Sequence, residues 1–319
     1  MSKDSLRAAY RALEEEAGDY ADAGRALTTL RRRRSAAAAG TALAVLAVLV
    51  MVSGLWPTRQ ESSVIAGPVH AVGRSIHTAC MHGCPTFLTY TDGRQVSLGE
   101  QTPVPPGNLT LSPDGRWLGI PVGDGFEVRD LTGDTVYRTP SAASGEVIGP
   151  WAWSADSRTL LLASHASGDV SAYYLLDLTN GRISRPEVPK GFEPVGLSAR
   201  GPVLFEESQY GKRATRVRLV VAGRETVLDG RDVELINQDG GPALEVRGDR
   251  IYARVVGKVI EFDLDGVEVS RYEFSGRALG PGPSGYLVFT DGKVATASGA
   301  VLYELPKESL ISVPGRARH

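Results

Sequence analysis

Leu109–Pro121 reads LTLSPDGRWLGIP and Trp151–Ala163 reads WAWSADSRTLLLA, and the serines at their centres, Ser112 and Ser154, are offset by 42 residues. In the first copy Ser112, Pro113, Asp114 and Gly115 suit a type I turn, because proline sets φ at the second position and glycine suits the fourth. The second copy keeps Ser154 and Asp156 but carries Ala155 and Ser157, so its turn is less strongly specified. Alternating apolar residues precede each turn, Leu109 and Leu111 or Trp151 and Trp153, and a more continuous apolar run follows. Two short strands joined by a tight turn account for that pattern.

A second hairpin recurs once per unit. Its turns are Thr91-Asp92-Gly93, Asp130-Leu131-Thr132-Gly133, Asp177-Leu178-Thr179-Asn180-Gly181, Val221-Ala222-Gly223, Asp263-Leu264-Asp265-Gly266 and Ala297-Ser298-Gly299. Their glycines are spaced by 40, 48, 42, 43 and 33 residues. Asp265-Gly266 is the strongest hairpin signal, since both residues tolerate positive φ. A period near 40 is that of a four-stranded propeller blade. The chain is therefore predicted to be all-β, a six-bladed β-propeller, with seven blades as the alternative because the units after Ala199 drift. There Leu197-Ser198-Ala199-Arg200-Gly201 keeps only part of the turn. Ring closure is expected from Val64–Val72 pairing with the last blade. Trp117, Trp151, Trp153, Tyr173 and Tyr174 are expected to fill the space between blades. Functional surface is expected on connecting loops, with Ser141–Pro150 and Ser164–Val170 as the long ones.

The Ser-Pro-Asp-Gly turn, its following strand and the later Asp-Leu-turn-Gly hairpin together resemble the TolB-like and WD-repeat-like β-propeller families, over about residues 65–310. Only the units around Ser112 and Ser154 carry the better-known motif. Beyond the propeller, the arginine-rich tail and alanine-rich apolar segment resemble uncharacterised membrane proteins of actinobacteria. Some of those resemble partners of alternative sigma factors, but this tail lacks the His and Cys cluster of zinc-containing anti-sigma domains.

Arg31, Arg32, Arg33 and Arg34 stand directly before a run without charge, Ser35–Trp56. A helix rising about 1.5 Å per residue would cross roughly 30 Å of hydrocarbon over that run. The arginines would hold its start in the cytoplasm. The expected organisation is a cytoplasmic tail at 1–34, a transmembrane helix at 35–56, a linker at 57–66 and an extracytoplasmic propeller at 67–319. A cleaved signal peptide is the alternative, disfavoured by the long leader and long apolar run. Leu6, Ala9, Tyr10 and Leu13 form one stripe of a short amphipathic helix in the tail. Ala36, Gly40 and Ala44 have small-residue spacing that would permit a weak homodimer through the anchor.

Beyond the arginines, residues 57–319 hold 27 Lys and Arg against 31 Asp and Glu. That near-neutral balance argues against nucleic acid as a partner, which calls for a clustered basic face. Cys80 and Cys84 are expected to form a disulfide, as an exported compartment allows, stapling a turn close to the membrane. A copper(I) or zinc site using His77, Cys80, His82 and Cys84 is the rival reading. No cofactor motif is present. The nucleophile elbow fails at Tyr286, after Gly282-Pro283-Ser284-Gly285. Ser164, His165 and Asp169 are neighbours in sequence, which does not make a triad. The segment Ser154–Leu160 resembles a sialidase aspartate box only faintly, and Asn108-Leu109-Thr110 forms a glycosylation sequon.

The expected function is accordingly a non-catalytic extracytoplasmic binding or scaffold module, tethered to the lipid bilayer and recognising a protein, peptide or envelope component. The alternatives are an exported propeller hydrolase or lyase, and a transmembrane sensor acting through the tail.

Overall fold

The structure, a computed structural model, describes residues 71–315 apart from 81–83, 99–108, 123–124, 140–145, 167–168, 211, 237–242, 283–284 and 307–308. The expected tail, anchor and linker lie outside the described residues. So do His82, Asn108 and residues 64–70.

Among the described residues, 24 strands form six four-stranded antiparallel sheets. Blade 1 takes β1 (Gly73–Thr78), β2 (Thr86–Tyr90) and β3 (Gln95–Ser97). Blade 2 follows with β4 (Thr110–Leu111), β5 (Trp117–Val122), β6 (Gly125–Asp130) and β7 (Val136–Arg138). Blade 3 has β8 (Glu146–Trp153), β9 (Thr159–Ala166), β10 (Asp169–Asp177) and β11 (Ile183–Ser184). Blade 4 has β12 (Phe192–Ser198), β13 (Gly201–Glu206), β14 (Arg216–Val221) and β15 (Arg224–Asp229). Blade 5 has β16 (Leu244–Arg247), β17 (Arg250–Val255), β18 (Lys258–Asp263) and β19 (Glu268–Glu273). Blade 6 has β20 (Arg277–Gly282), β21 (Gly285–Thr290), β22 (Lys293–Thr296) and β23 (Val301–Glu304). This is a six-bladed β-propeller.

Closure differs from the expectation. The last strand, β24 (Leu310–Ser312), completes blade 1 by pairing with β1, as Ile76↔Ser312, His77↔Ile311 and Thr78↔Leu310. Blade 6 already has four strands of its own. Apolar burial explains the choice, because Ile311 and Val313 pack with Leu279, Leu287 and Val294. First and last strands are thereby held in one sheet, and β1 is left with no open edge.

Burial follows strand position. β9 buries Leu160 to Ala163 without a break, as a strand covered on both faces must. In β14, Arg216 and Arg218 are exposed while Val217, Leu219 and Val221 are buried, the alternation of a half-covered strand. The described parts of the two long loops expected in blade 3, residues 146–150, 164–166 and 169–170, are strand instead. The ladder pairs Glu146↔Ala166 and Val147↔His165, and β10 starts at Asp169. Those outer strand ends are solvated, so their pairing needs no apolar pattern to sustain it.

The tryptophans do fill the space between blades. Trp151 sits in a bulge between Pro150 and Ala152, and a bulge re-aims the side chains of its strand. The Trp151 Nε1–H donates to the Pro194 carbonyl of blade 4 at 2.5 Å, whereas Trp153 Nε1–H donates to Thr110 Oγ1 of blade 2 at 2.6 Å. Two residues apart, they bind opposite neighbours. Val195 and Leu279 occupy the same bulge in blades 4 and 6.

An antiparallel meander puts the inner turn, between first and second strands, and the outer turn, between third and fourth, at one end of every blade. All six second-hairpin turns named from sequence are these outer turns. This end is the turn face. The chain enters there at Gly73, whose N–H donates to the Gly115 carbonyl at 2.7 Å, and leaves there at Gly315, whose N–H donates to the Leu111 carbonyl at 2.8 Å.

Candidate functional site

The inner turn of blade 2 is built as its sequence predicts. The Ser112 hydroxyl donates to Asp114 Oδ1 at 2.5 Å and accepts the Trp117 N–H at 2.9 Å, while Asp114 Oδ1 also accepts the Arg116 N–H at 3.0 Å. Blade 3 repeats it. The Ser154 hydroxyl donates to Asp156 Oδ1 at 2.7 Å and accepts the Thr159 N–H at 2.8 Å, and Arg158 N–H reaches Asp156 Oδ1 at 3.1 Å. The segment that faintly resembled an aspartate box is thus an inner turn. Ser198 makes the corresponding turn in blade 4, accepting the Arg200 N–H at 3.2 Å.

Gly115 has φ of 72° and Ser157, its counterpart, 60°. At Gly115 only glycine fits, since a Cβ would stand 2.1 Å from the Gly73 carbonyl oxygen. Ser157 accepts the same conformation and turns its hydroxyl to the Asp114 N–H at 3.0 Å, across the blade boundary.

That contact forms the inner wall of a cleft of about 390 Å³ between blades 2 and 3 on the turn face. Trp117 and Tyr137, stacked with ring centroids 5.7 Å apart, line it together with Leu178. Its outer wall depends on Gly181, with φ of 74°, where a Cβ would lie 2.6 Å from the Tyr137 ring. Arg116, Arg158, Asp114, Asp156, Thr135 and Thr179 complete the lining. Burial works to raise the Asp130 carboxyl, but bonds from Arg116 and Thr132 outweigh it and hold the group below the usual carboxylate range. The Ser154 hydroxyl holds Asp156 low, and the Thr179 hydroxyl does the same for Asp177. At neutral pH the cleft therefore presents fixed charges of both signs.

The structure brings together the motif residues Asp114 and Asp156, with Ser112, Pro113, Gly115 and Ser154 behind them. Sequence reasoning did not single out Arg158, Tyr137, Thr135 or Thr179. The usable signal was the extra residue, Asn180, in the outer turn of blade 3.

Cys80 and Cys84 are joined in a disulfide. It closes the hairpin between β1 and β2, at the opposite end of β1 from the point where the chain enters. The metal reading loses both thiols to this bond, and no group of three or more ligating side chains occurs among the described residues. His77 is instead buried, stacked on Phe87 at 5.7 Å and 3.5 Å from the Thr89 hydroxyl, and burial lowers its pKa. Ser164 gives its proton to Glu146 Oε2 at 2.7 Å, while His165 lies against Trp151 at 5.9 Å. No triad is assembled there. Thr110 of the sequon is buried and accepts from Trp153.

No known family model matches the chain, and no curated protein matches it. Solved structures similar to it include TolB from Acinetobacter baumannii, at 13% identity and TM-score 0.29, covering 66% of this chain and 65% of that one. The chain thus spans less than two thirds of the TolB length. A functionally unknown protein from Desulfotomaculum acetoxidans matches at 13% identity and TM-score 0.39, over 76% of this chain and 99% of that one. An uncharacterized protein from Listeria monocytogenes matches at 8% identity and TM-score 0.40, over 75% and 84%. The likeness extends to the fold alone.

Proposed function

We propose that the protein is a non-catalytic binding or scaffold module that recognises a protein, peptide or envelope component. In this reading residues 35–56 hold it in the cell membrane, residues 1–34 are cytoplasmic, and the propeller works outside. The observation that carries the binding role is the cleft between blades 2 and 3, which sets charged groups of both signs beside Tyr137. The location is supported by Arg31–Arg34 before an uncharged run and by the disulfide, which suits an oxidising compartment.

A photo-crosslinker at Thr179, in the cleft, is compared in the native membrane with one at Val256, on the opposite face. Capture of one recurrent partner at Thr179 and not at Val256 is expected. Equal capture at both, or none at Thr179, rejects the cleft as the binding site. Reporter fusions after Leu30 and after Arg59 test topology separately, and a cytoplasmic signal from the second overturns the orientation.

A further inference from the structure

The turns of blades 2 and 3 repeat each other closely enough for one electrostatic difference between them to be traced to its cause. In blade 2, Asp130 Oδ1 accepts the Thr132 N–H and hydroxyl, and Asp130 Oδ2 accepts the Arg116 guanidinium twice, at 3.0 and 2.5 Å. In blade 3, Asp177 Oδ1 accepts the Thr179 N–H and hydroxyl in the same way. Its Oδ2 accepts the Asn180 side-chain amide at 2.8 Å. Asn180 is the residue that lengthens this turn relative to Asp130-Leu131-Thr132-Gly133. Its other end is tied as well, since Asn180 Oδ1 accepts the Arg182 N–H at 2.8 Å.

Arg158 stands where Arg116 stands, two residues beyond the turn aspartate, and Asn180 occupies the oxygen it would otherwise take. The guanidinium of Arg158 consequently makes no hydrogen bond or ion pair among the described residues. Near their own inner turns Arg200 pairs with Asp265 at 3.3 Å and Arg250 with Glu261 at 3.0 Å. Arg158 is left facing the cleft with no hydrogen bond to its guanidinium, its charge felt only at longer range by Asp156 and Asp177.

We propose that the cleft is a carboxylate-binding site anchored by Arg158, and that it takes a peptide presenting an acidic side chain or a chain-terminal carboxylate. A planar guanidinium offers two parallel N–H donors that match a carboxylate. Tyr137, stacked on the buried Trp117, supplies an apolar side wall for the chain that carries it. Asp114 and Asp156 line the same cleft, and their charge disfavours a dianion such as phosphate relative to a single carboxylate. The inference rests on the binding-module reading and names its ligand chemistry.

The test titrates the full chain, in detergent, with four probes: N-acetyl-Ala-Glu-Ala amide, N-acetyl-tri-alanine free acid, N-acetyl-tri-alanine amide and inorganic phosphate. Indole and tyrosine NMR signals report binding. A single exposed ion pair is weak, so saturation in the millimolar range is expected for the first or second probe, and which one saturates identifies the carboxylate source. The neutral amide and phosphate are expected to bind at least about 10-fold more weakly. Arg158→Ala should remove the carboxylate preference with the fold intact by circular dichroism. Asn180→Ala retains Arg158 but frees Asp177 to capture it, and should weaken binding several-fold, which a merely structural role for Asn180 would not produce.

Equal binding of neutral and acidic peptides, no binding by the wild-type chain, or insensitivity to both substitutions overturns the proposal. Partner capture at Thr179 combined with such insensitivity would reject the carboxylate site and retain the binding module. Carboxylate binding without partner capture would do the reverse.

Discussion

The backbone N–H of Asp114 donates to the hydroxyl of Ser157 at 3.0 Å, joining the inner turns of two successive blades. Ser157 holds a left-handed backbone, φ 60°, that glycine would hold without strain. The serine therefore trades strain of about 1 kcal/mol for an inter-blade hydrogen bond of similar worth. Ser157→Gly should leave stability within about 0.5 kcal/mol of wild type, because strain and bond disappear together. Ser157→Ala keeps the strain, loses the bond, and should cost about 1–2 kcal/mol. Gly115→Ala should cost more than about 2 kcal/mol, because its Cβ would meet the Gly73 carbonyl oxygen at 2.1 Å. Urea unfolding midpoints check the order, and a Ser157→Ala protein as stable as wild type would refute the account.

The six outer turns were legible because each carries its own punctuation within a few residues, as Asp263-Leu264-Asp265-Gly266 does. The inner turns faded after blade 4. Blade 5 turns through Arg247-Gly248-Asp249-Arg250, where Gly248 alone supplies the positive φ. Closure was misread because β24 is three residues long and its partner β1 lies at the other end of the chain. Local alternation cannot specify such a distant pairing. The cleft was hidden for a different reason. It arises from Asn180 in one turn and Ser157 in another, each ordinary by itself and meaningful only when the blades stand side by side.

Closure has a direct mechanical consequence. Ile311 is 1% exposed, so Ile311→Ala should destabilise the chain by about 2–5 kcal/mol. Ending the chain before Leu310 should be worse, since it leaves β1 with an open edge that invites aggregation. Hydrogen exchange checks the mechanism. Amides of Gly73–Thr78 should lose protection before those of β9, and a truncated chain that melts like wild type would show that β24 does not hold the ring.

Acid should act first through Asp130 and Glu127. Burial works to raise both carboxyls, but Arg116 with Thr132, and Arg129 with Arg138, more than offset it and hold them low. A carboxyl lowered by folding adds stability above its unfolded value, here 3.8 for Asp130 and 4.5 for Glu127. That stability is lost as pH falls through the folded values. Arg116→Ala removes the guanidinium from Asp130, whose side chain is 2% exposed, leaving only the Thr132 bonds to oppose burial. The acid transition should then begin at higher pH, and neutral stability should drop by about 1–3 kcal/mol, below the full cost of breaking a buried pair because Arg116 is 49% exposed. Melting temperatures from pH 3 to 7 decide it, and parallel curves for the two proteins would contradict it.

Alkali should open a different seam. Burial pushes the Tyr303 hydroxyl up to about 12, against the smaller opposing influence of the Ser75 hydroxyl and the Arg74 guanidinium. Arg74 lies 5.0 Å above the Tyr303 ring and donates to the Thr91 carbonyl at 2.8 Å, so blades 6 and 1 meet at this tyrosine. Tyr252, also buried, is pushed up to about 12. A hydroxyl raised by folding adds stability below its unfolded value of 10.0, and that stability is lost as pH rises towards the folded value. Stability should accordingly fall between about pH 10 and 12, and Tyr303→Phe should make the fall shallower while changing little at pH 7. Tyrosinate absorbance followed alongside unfolding separates ionisation from melting. If Tyr303→Phe falls as steeply as wild type, the blade 6 to blade 1 seam is not where alkali acts.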